Sequence, residues 1–165
     1  MRRGTVLGLL TVLLAGCGEE APEREPGTVA ARSDRPADAA DWLGPTDTTD
    51  PALWLARRAA SDGSIDPAAL GGLKANLAAA RQSFVEDPRM IANRTAQLET
   101  MLAEIGAAEA PATLIGDLTG IAAASGRRQL YGELCQHYIT IRRTGLPRDA
   151  ALARLRARYT AQDRP

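Results

Sequence analysis

Three Asp-Pro pairs in the middle of the chain constrain its fold more than any other sequence feature: Asp50-Pro51, Asp66-Pro67 and Asp87-Pro88. Aspartate is favoured immediately before a helix, because its carboxylate accepts hydrogen bonds from backbone N–H groups of the first turn. Proline is favoured at the next position, where its missing N–H has no helical partner to lose. Each pair therefore predicts the start of a helix. The pairs are unequally spaced and the residues after them do not align, which argues against an internal repeat.

The segments after these starts carry apolar side chains at intervals of three and four residues, as an amphipathic helix requires. The longest stripes are Leu70, Leu73, Leu77 and Phe84, followed by Ile91, Thr95, Leu98, Leu102 and Ile105. Further helices are predicted from Pro111, over residues 127–144 with Leu130 on the inward face, and from Pro147. No alternating pattern typical of strands reaches a useful length. We therefore expect an all-α fold, a small bundle of about five or six short helices over residues 51–165.

The first residues have the character of an export signal. A positive head, Met1-Arg2-Arg3, precedes about eleven mostly apolar residues, whereas a membrane-spanning helix needs about twenty. A positive head and a short apolar core are the parts of a secretory signal peptide. The tetrapeptide that ends this run, Leu14-Ala15-Gly16-Cys17, resembles the lipobox of bacterial lipoproteins. The resemblance implies cleavage before Cys17 and attachment of a diacylglycerol and a further acyl chain, such as palmitate, to that residue.

The same resemblance implies an address for the protein. Three acyl chains on Cys17 would anchor the chain stably, whereas one chain binds a membrane only marginally. Gly18, where an aspartate favours inner-membrane retention in some lineages, implies the inner leaflet of the outer membrane, facing the periplasm. A lipid-anchored position on the plasma membrane is the alternative. We thus divide the chain into a signal peptide, residues 1–16, a lipidated cysteine with a disordered, flexible stalk, residues 17–50, and a helical domain, residues 51–165.

An isolated apolar pair interrupts the predicted stalk. Trp42 and Leu43 lie in a stretch that is otherwise rich in proline, charge and small residues. Such a pair docks either on the chain's own domain or on a partner, and docking on the domain is the commoner outcome.

The formal net charge is zero, but the charges are unevenly distributed along the chain. Residues 17–126 carry nine basic and 17 acidic side chains, whereas residues 127–165 carry nine basic and three acidic. A basic segment of this kind can face anionic lipid or cell-wall polymer. The candidate anion-binding residues are Arg142, Arg143, Arg154, Arg156 and Arg158. Two alternatives remain: these arginines stabilise helix C-termini, or they pack beside the acidic part of the chain. A nucleic-acid partner is not expected.

Few residues offer chemistry. His137 is the only histidine, and Cys135 lies two positions before it, so the two side chains point to different sides of a regular helix. Glu133 and His137 share a face, but two ligands fall short of the three or four that a zinc site needs. We expect neither a metal nor another cofactor. Cys135 has no partner if Cys17 is lipidated, so it is either buried or joined to another molecule by a disulfide.

The acidic residues do not form an evident catalytic set. Glu99 and Glu104 are five apart and do not stack on one helix face, and Glu86 and Asp87 are explained by the helix boundary. One face of the helix over residues 127–144, with Tyr131, Cys135 and Arg142, is a candidate partner-facing surface if it is exposed.

We therefore expect a non-catalytic accessory or partner-binding subunit of a cell-envelope system. Secretion, pilus, conjugation and periplasmic oxidation systems are all open, and the partner is expected to be another envelope protein. The alternative is a binder of anionic lipid or cell-wall polymer through the basic C-terminal helices. The sequence does not indicate an oligomeric state.

Overall fold

A computed structural model describes residues 41–60 and 63–161. The predicted signal peptide, the lipidation site at Cys17 and the predicted stalk up to residue 40 lie outside these described residues. Within them the chain forms six helices: α1 (Pro51–Ala59), α2 (Pro67–Ser83), α3 (Pro88–Glu104), α4 (Pro111–Ala123), α5 (Tyr131–Arg142) and α6 (Arg148–Ala161). The predicted all-α bundle is confirmed. In the described part of the chain, no helix combines the length and the apolar character that crossing a membrane requires.

The three Asp-Pro pairs start helices as predicted. The Asp50 carboxylate accepts a hydrogen bond from the N–H of Leu53 at 2.9 Å, and the proline after it occupies the first turn of α1. Asp66 and Asp87 cap α2 and α3 in the same way, with acceptor distances of 2.9 and 2.8 Å. Each cap satisfies a backbone donor that the helix itself leaves unpaired.

The core is formed by the predicted apolar stripes, which all six helices turn inward. Its largest fully buried side chains are aromatic: Trp54, Tyr131, Tyr138, Tyr159 and Phe84. Helix α2 packs mainly on α4, and α3 packs mainly on α5.

One stripe is shorter than its periodicity indicates. Ile105, the last residue of the α3 stripe, lies just after the helix and is 39% exposed.

Helix α5 begins four residues later than predicted. Residues 127–130 are not helical, because Gln129 forms a bridge with the end of α2: its N–H donates to the Ser83 carbonyl at 2.9 Å and the N–H of Val85 donates to the Gln129 carbonyl at 3.0 Å. Leu130, which was expected to face the core, is therefore 51% exposed. The Glu86 carboxylate fixes the start of the helix by accepting from the first two backbone N–H groups of α5, at 2.9 and 3.0 Å.

The packed domain includes residues before α1. Leu43 is buried, its N–H donates to Oδ1 of Asn93 at 2.9 Å, and Nδ2 of Asn93 donates back to the Leu43 carbonyl at 3.0 Å. A guanidinium nitrogen of Arg89 donates to the same carbonyl at 3.0 Å. We call these three residues the Leu43 clasp. The apolar pair that interrupts the predicted stalk therefore docks on the chain's own domain through Leu43. Trp42, next to the clasp, remains 43% exposed.

Candidate functional site

Three large apolar side chains lie exposed along one edge of the bundle. In the described ranges, the exposed large apolar residues are Trp42, Val85, Ile105 and Leu130. Ile105 stands alone at the far end of α3. Val85 and Leu130 lie on two segments joined by the backbone bond from Val85 to Gln129, and Trp42 contacts Arg94, which passes close to Gly132. We call this set the Trp42–Leu130 surface: Trp42, Val85, Arg94, Leu130 and Gly132.

The arginine side chain of this surface connects its two halves. The Arg94 guanidinium carbon lies 5.9 Å from the centre of the Trp42 ring, within the range of a cation–π contact. Its Nε lies 3.4 Å from the position that a Cβ on Gly132 would occupy. Arg94 therefore runs close over the start of α5, two residues from Leu130.

The two aliphatic members of the surface are held by backbone pairing. Val85 follows α2 and Leu130 precedes α5, and the hydrogen bond from Val85 to Gln129 aligns the two extended segments. Glu86 then joins the segment after α2 to the first turn of α5. Val85 and Leu130 therefore project from a backbone that several hydrogen bonds fix in place.

A groove of about 660 Å³ borders this surface on the α2 side. Its wall includes Val85, the exposed Arg81 and Arg128. The Nε of Arg128 donates to the Phe84 carbonyl at 2.8 Å, so this guanidinium also holds the segment that carries Val85. Glu86 and Asp87 line the same groove, so its border carries charges of both signs. The surface thus combines apolar side chains with a charged rim, as protein–protein interfaces commonly do.

One predicted anion-binding arginine, Arg142, forms an ion pair with a buried carboxylate of the same domain. A guanidinium nitrogen of Arg142 lies 3.4 Å from a carboxylate oxygen of Glu109, whose side chain is only 8% exposed. The Tyr138 hydroxyl donates to the same carboxylate at 2.8 and 3.0 Å. Arg148 Nε lies 3.6 Å from it, and another Arg148 nitrogen pairs with Asp117 on α4. We call these five residues the Glu109 cluster.

The other predicted anion-binding residues are exposed: Arg143, Arg154, Arg156 and Arg158. Within residues 41–60 and 63–161, their guanidinium groups make no hydrogen bond or ion pair with another residue. The structure does not bring the four onto one face. Arg154 and Arg158 border a groove between α5 and α6, whereas Arg156 lies on the other side of α6 and Arg143 follows the end of α5.

The predicted partner-facing surface on α5 does not include Tyr131 or Cys135. Both are buried, and the Tyr131 hydroxyl lies 2.8 Å from the Thr95 hydroxyl. Burial raises the pKa of the Cys135 thiol and of the Tyr131 hydroxyl, so both stay neutral. Cys135 is a buried free thiol, one of the two states expected for it.

His137 bonds to a residue of the neighbouring helix. Its Nδ1 lies 2.7 Å from the hydroxyl of Tyr159 on α6, so the ring connects α5 to α6. Burial, helped by the nearby negative charge of Glu133, raises the pKa of Tyr159 to about 12. Among the described residues, no three His, Cys, Asp or Glu side chains are grouped closely enough to hold a metal ion.

Glu99 is a partly buried carboxyl group of α3. Burial raises its pKa to about 7, and the positive charge of Arg58 on α1 partly opposes this effect. Glu104, the other carboxyl group considered with it, is exposed at the end of α3.

The comparison with protein families identifies the folded domain. The profile of the MoxZ family matches residues 52–160, about two thirds of the chain. This chain belongs to the MoxZ family. The MoxZ match covers nearly all of the six helices and the exposed arginines of α6. It also covers Val85 and Leu130, which lie between helices, but it begins after Trp42. No curated protein and no solved structure matches the chain.

Proposed function

We propose that this protein is a non-catalytic accessory protein of a methanol oxidation-type system and binds another protein of that system through the Trp42–Leu130 surface. Membership of the MoxZ family supports the association with such a system. The observation that carries the partner-binding role is the exposure of Val85 and Leu130 on neighbouring, hydrogen-bonded segments, together with exposed Trp42, which Arg94 contacts. Such a patch, bordered by charged residues, is a mark of protein–protein contact.

The energetics of the surface favour binding. Val85 is 57% exposed and Leu130 is 51% exposed, so a partner that covers them removes most of each side chain from water. Burial of one such side chain contributes about 1 kcal/mol or more. Because the backbone of both residues is already fixed by hydrogen bonds, little conformational entropy is lost when a partner docks. Tryptophan and arginine, both present here, are the residues most enriched among binding hot spots.

The cell-envelope location belongs to the same proposal. The lipobox resemblance at residues 14–17 supports lipidation of Cys17 and export of the helical domain. We place the domain in the periplasm, anchored to the inner leaflet of the outer membrane. The alternative is a lipid anchor in the plasma membrane.

Crosslinking with matched variants tests the partner-binding role. In a methanol-oxidising host, wild type, Leu130→Glu and Ile105→Glu would each be crosslinked mildly in membranes, and the recovered proteins identified by mass spectrometry. Both variants place a carboxylate at an exposed large apolar residue, but only Leu130 belongs to the Trp42–Leu130 surface. We expect wild type and Ile105→Glu to recover the same proteins of the methanol-oxidising system and Leu130→Glu to lose them.

Growth provides a second readout. We expect deletion of the gene to slow growth on methanol, and complementation by Ile105→Glu but not by Leu130→Glu. Equal recovery and equal complementation by the two variants would remove the surface from the proposal. Unchanged growth on methanol after deletion would remove the link to methanol oxidation.

A second candidate function is binding to anionic envelope lipid through Arg143, Arg154, Arg156 and Arg158. The observation that favours it is the absence of any ion-pair partner for these four among the described residues. The full chain would be mixed with phosphatidylcholine vesicles with and without phosphatidylglycerol. Stronger binding to the anionic vesicles that weakens with salt supports this function, because exposed charges are screened by salt. Equal binding to both vesicles would exclude it.

A further inference from the structure

The last two helices enclose a groove that bears on the second candidate function. Helices α5 and α6 form a hairpin, and between them lies a groove of about 320 Å³. Its lining residues are His137, Thr140, Ile141, Arg154 and Arg158. On α6 the two arginines are four residues apart and so share one face of the helix, while α5 supplies the opposite wall.

The two arginines line this groove, mainly with the apolar stems of their side chains, and carry their guanidinium groups beside it. Neither makes a hydrogen bond or an ion pair with any residue in the described ranges. Each guanidinium presents N–H groups in a rigid planar fork, and two forks one helical turn apart can approach one anion from two sides. The hydroxyl of Thr140 donates to the Gln136 carbonyl at 2.7 Å, so it is not counted among these donors.

The imidazole ring of His137 is positioned by its contact with Tyr159. Nδ1 of His137 lies 2.7 Å from the Tyr159 hydroxyl, and the rings are 5.8 Å apart between centres. Tyr159 is fully buried, which fixes the position of the imidazole. Nε2 makes no hydrogen bond with a described residue, and His137 lines the groove. The positioned imidazole thus lines the same groove as the two arginine side chains.

We propose that the α5–α6 groove binds a single phosphate group, with Arg154 and Arg158 donating to its oxygens and Nε2 of His137 contacting it from the α5 side. A tetrahedral phosphate presents oxygens to three sides at once, which suits three separate nitrogen-bearing groups better than a planar carboxylate with two oxygens does. This inference rests on the second candidate function for the charge of α6. It narrows the predicted set of five arginines to two and adds His137.

The unique histidine makes a direct test possible. Because the chain contains one histidine, its imidazole gives a single set of ring signals in an NMR spectrum. The full chain in neutral detergent would be titrated with inorganic phosphate at constant pH and ionic strength, with sodium chloride as the salt control. We expect a saturable shift of the His137 ring signals with phosphate and none with chloride.

Three variants of α6 distinguish phosphate binding in the groove from a general effect of positive charge. We expect Arg154→Gln and Arg158→Gln each to weaken phosphate binding roughly tenfold, since a lost charge-assisted hydrogen bond is worth about that factor. Arg156→Gln removes the same charge from the opposite side of α6 and should change the affinity less than about twofold. Unchanged circular dichroism confirms that each variant remains folded.

A lipid arm identifies the source of the phosphate. The titration would be repeated with the full chain in phosphatidylcholine nanodiscs, with and without phosphatidic acid. A shift that only phosphatidic acid produces, lost in Arg154→Gln and kept in Arg156→Gln, assigns the groove to a lipid phosphate. A shift with inorganic phosphate under the same variant pattern assigns it to a soluble phosphate.

Two outcomes would overturn the inference. If neither source moves the His137 signals, the groove does not bind phosphate. If Arg156→Gln weakens binding as much as Arg154→Gln, only net charge matters, so the second candidate function stands and the groove is excluded. Loss of vesicle binding with an intact phosphate response would instead exclude that function and leave the groove.

Discussion

Two sets of arginines in the last forty residues of the chain illustrate how differently one residue type can be used. Arg142 and Arg148 are built into the Glu109 cluster, where they meet a buried carboxylate and, through Arg148, Asp117. Arg154 and Arg158 are exposed and meet no acid among the described residues. The acids that decide this difference come from outside the basic segment, from α4 and the loop before it. Net charge of a segment therefore does not tell which of its cations are free.

The largest effect is expected from a substitution that disrupts the Glu109 cluster. Glu109→Gln leaves two arginines near a buried neutral side chain, and we expect it to lower the free energy of unfolding by about 3 kcal/mol, because breaking a buried ion pair strands the partner charge. Chemical denaturation measures the change. Asp149→Asn is the matched control: Asp149 also pairs with Arg148, at 3.2 Å, but is 94% exposed. We expect the control to cost less than about 0.5 kcal/mol. A similar small cost for Glu109→Gln would show that the cluster adds little to stability.

The second effect concerns Glu99, a partly buried carboxyl group whose desolvation the positive charge of Arg58 only partly offsets. Because the folded-state pKa of Glu99 is raised to about 7 from 4.5, the folded protein binds a proton more tightly than the unfolded chain. Stability therefore falls as pH rises through the window between these two values. Glu99→Gln removes this penalty, so we expect it to raise the free energy of unfolding by roughly 1 to 3 kcal/mol near pH 8 and by little near pH 4.

Thermal or chemical unfolding of wild type and Glu99→Gln at several pH values checks this prediction. The difference between the two proteins isolates Glu99 from other groups that titrate over the same range. A difference that is constant with pH would show that Glu99 does not change its charge there. It would also assign the effect of the substitution to packing.

The smallest effect on stability is expected for Arg154 and Arg158, the exposed arginines of α6. Arg154→Gln and Arg158→Gln should each change the free energy of unfolding by less than about 0.5 kcal/mol, as is usual for exposed side chains without partners. Chemical denaturation again measures the change. A loss above about 1 kcal/mol would mean that these arginines are structural after all. It would also remove the contrast with Arg142 and Arg148.

The local signals in the sequence predicted the helices well. Asp-Pro pairs set the starts of α1, α2 and α3 through contacts that span two or three residues, so a short window is sufficient to detect them. The apolar stripes likewise predicted much of the core, including Leu77, Phe84 and Leu98.

Long-range contacts account for what the sequence did not predict. Helix α5 begins at Tyr131 because Gln129 pairs with Ser83, more than forty residues earlier. The same pairing exposes Leu130 and sets Val85 beside it, so neither member of the candidate site has a signature in its own segment. Leu43 was a candidate for docking, but its partner Asn93 lies 50 positions away and has no local signal. Arg142 was assigned to the anion-binding set because Glu109, which neutralises it, belongs to a different part of the sequence.

The Leu43 clasp also has a mechanical consequence. Tension on the chain before residue 41 reaches the bundle first at Leu43, where the hydrogen bonds with Asn93 and Arg89 hold the backbone against α3. These bonds would part before the helices separate, because no other helix depends on them. Their release would let residues 41–50 straighten to a span of at most about 35 Å. A protein held at its N-terminal side could thus yield to a pull while the six-helix bundle stays folded.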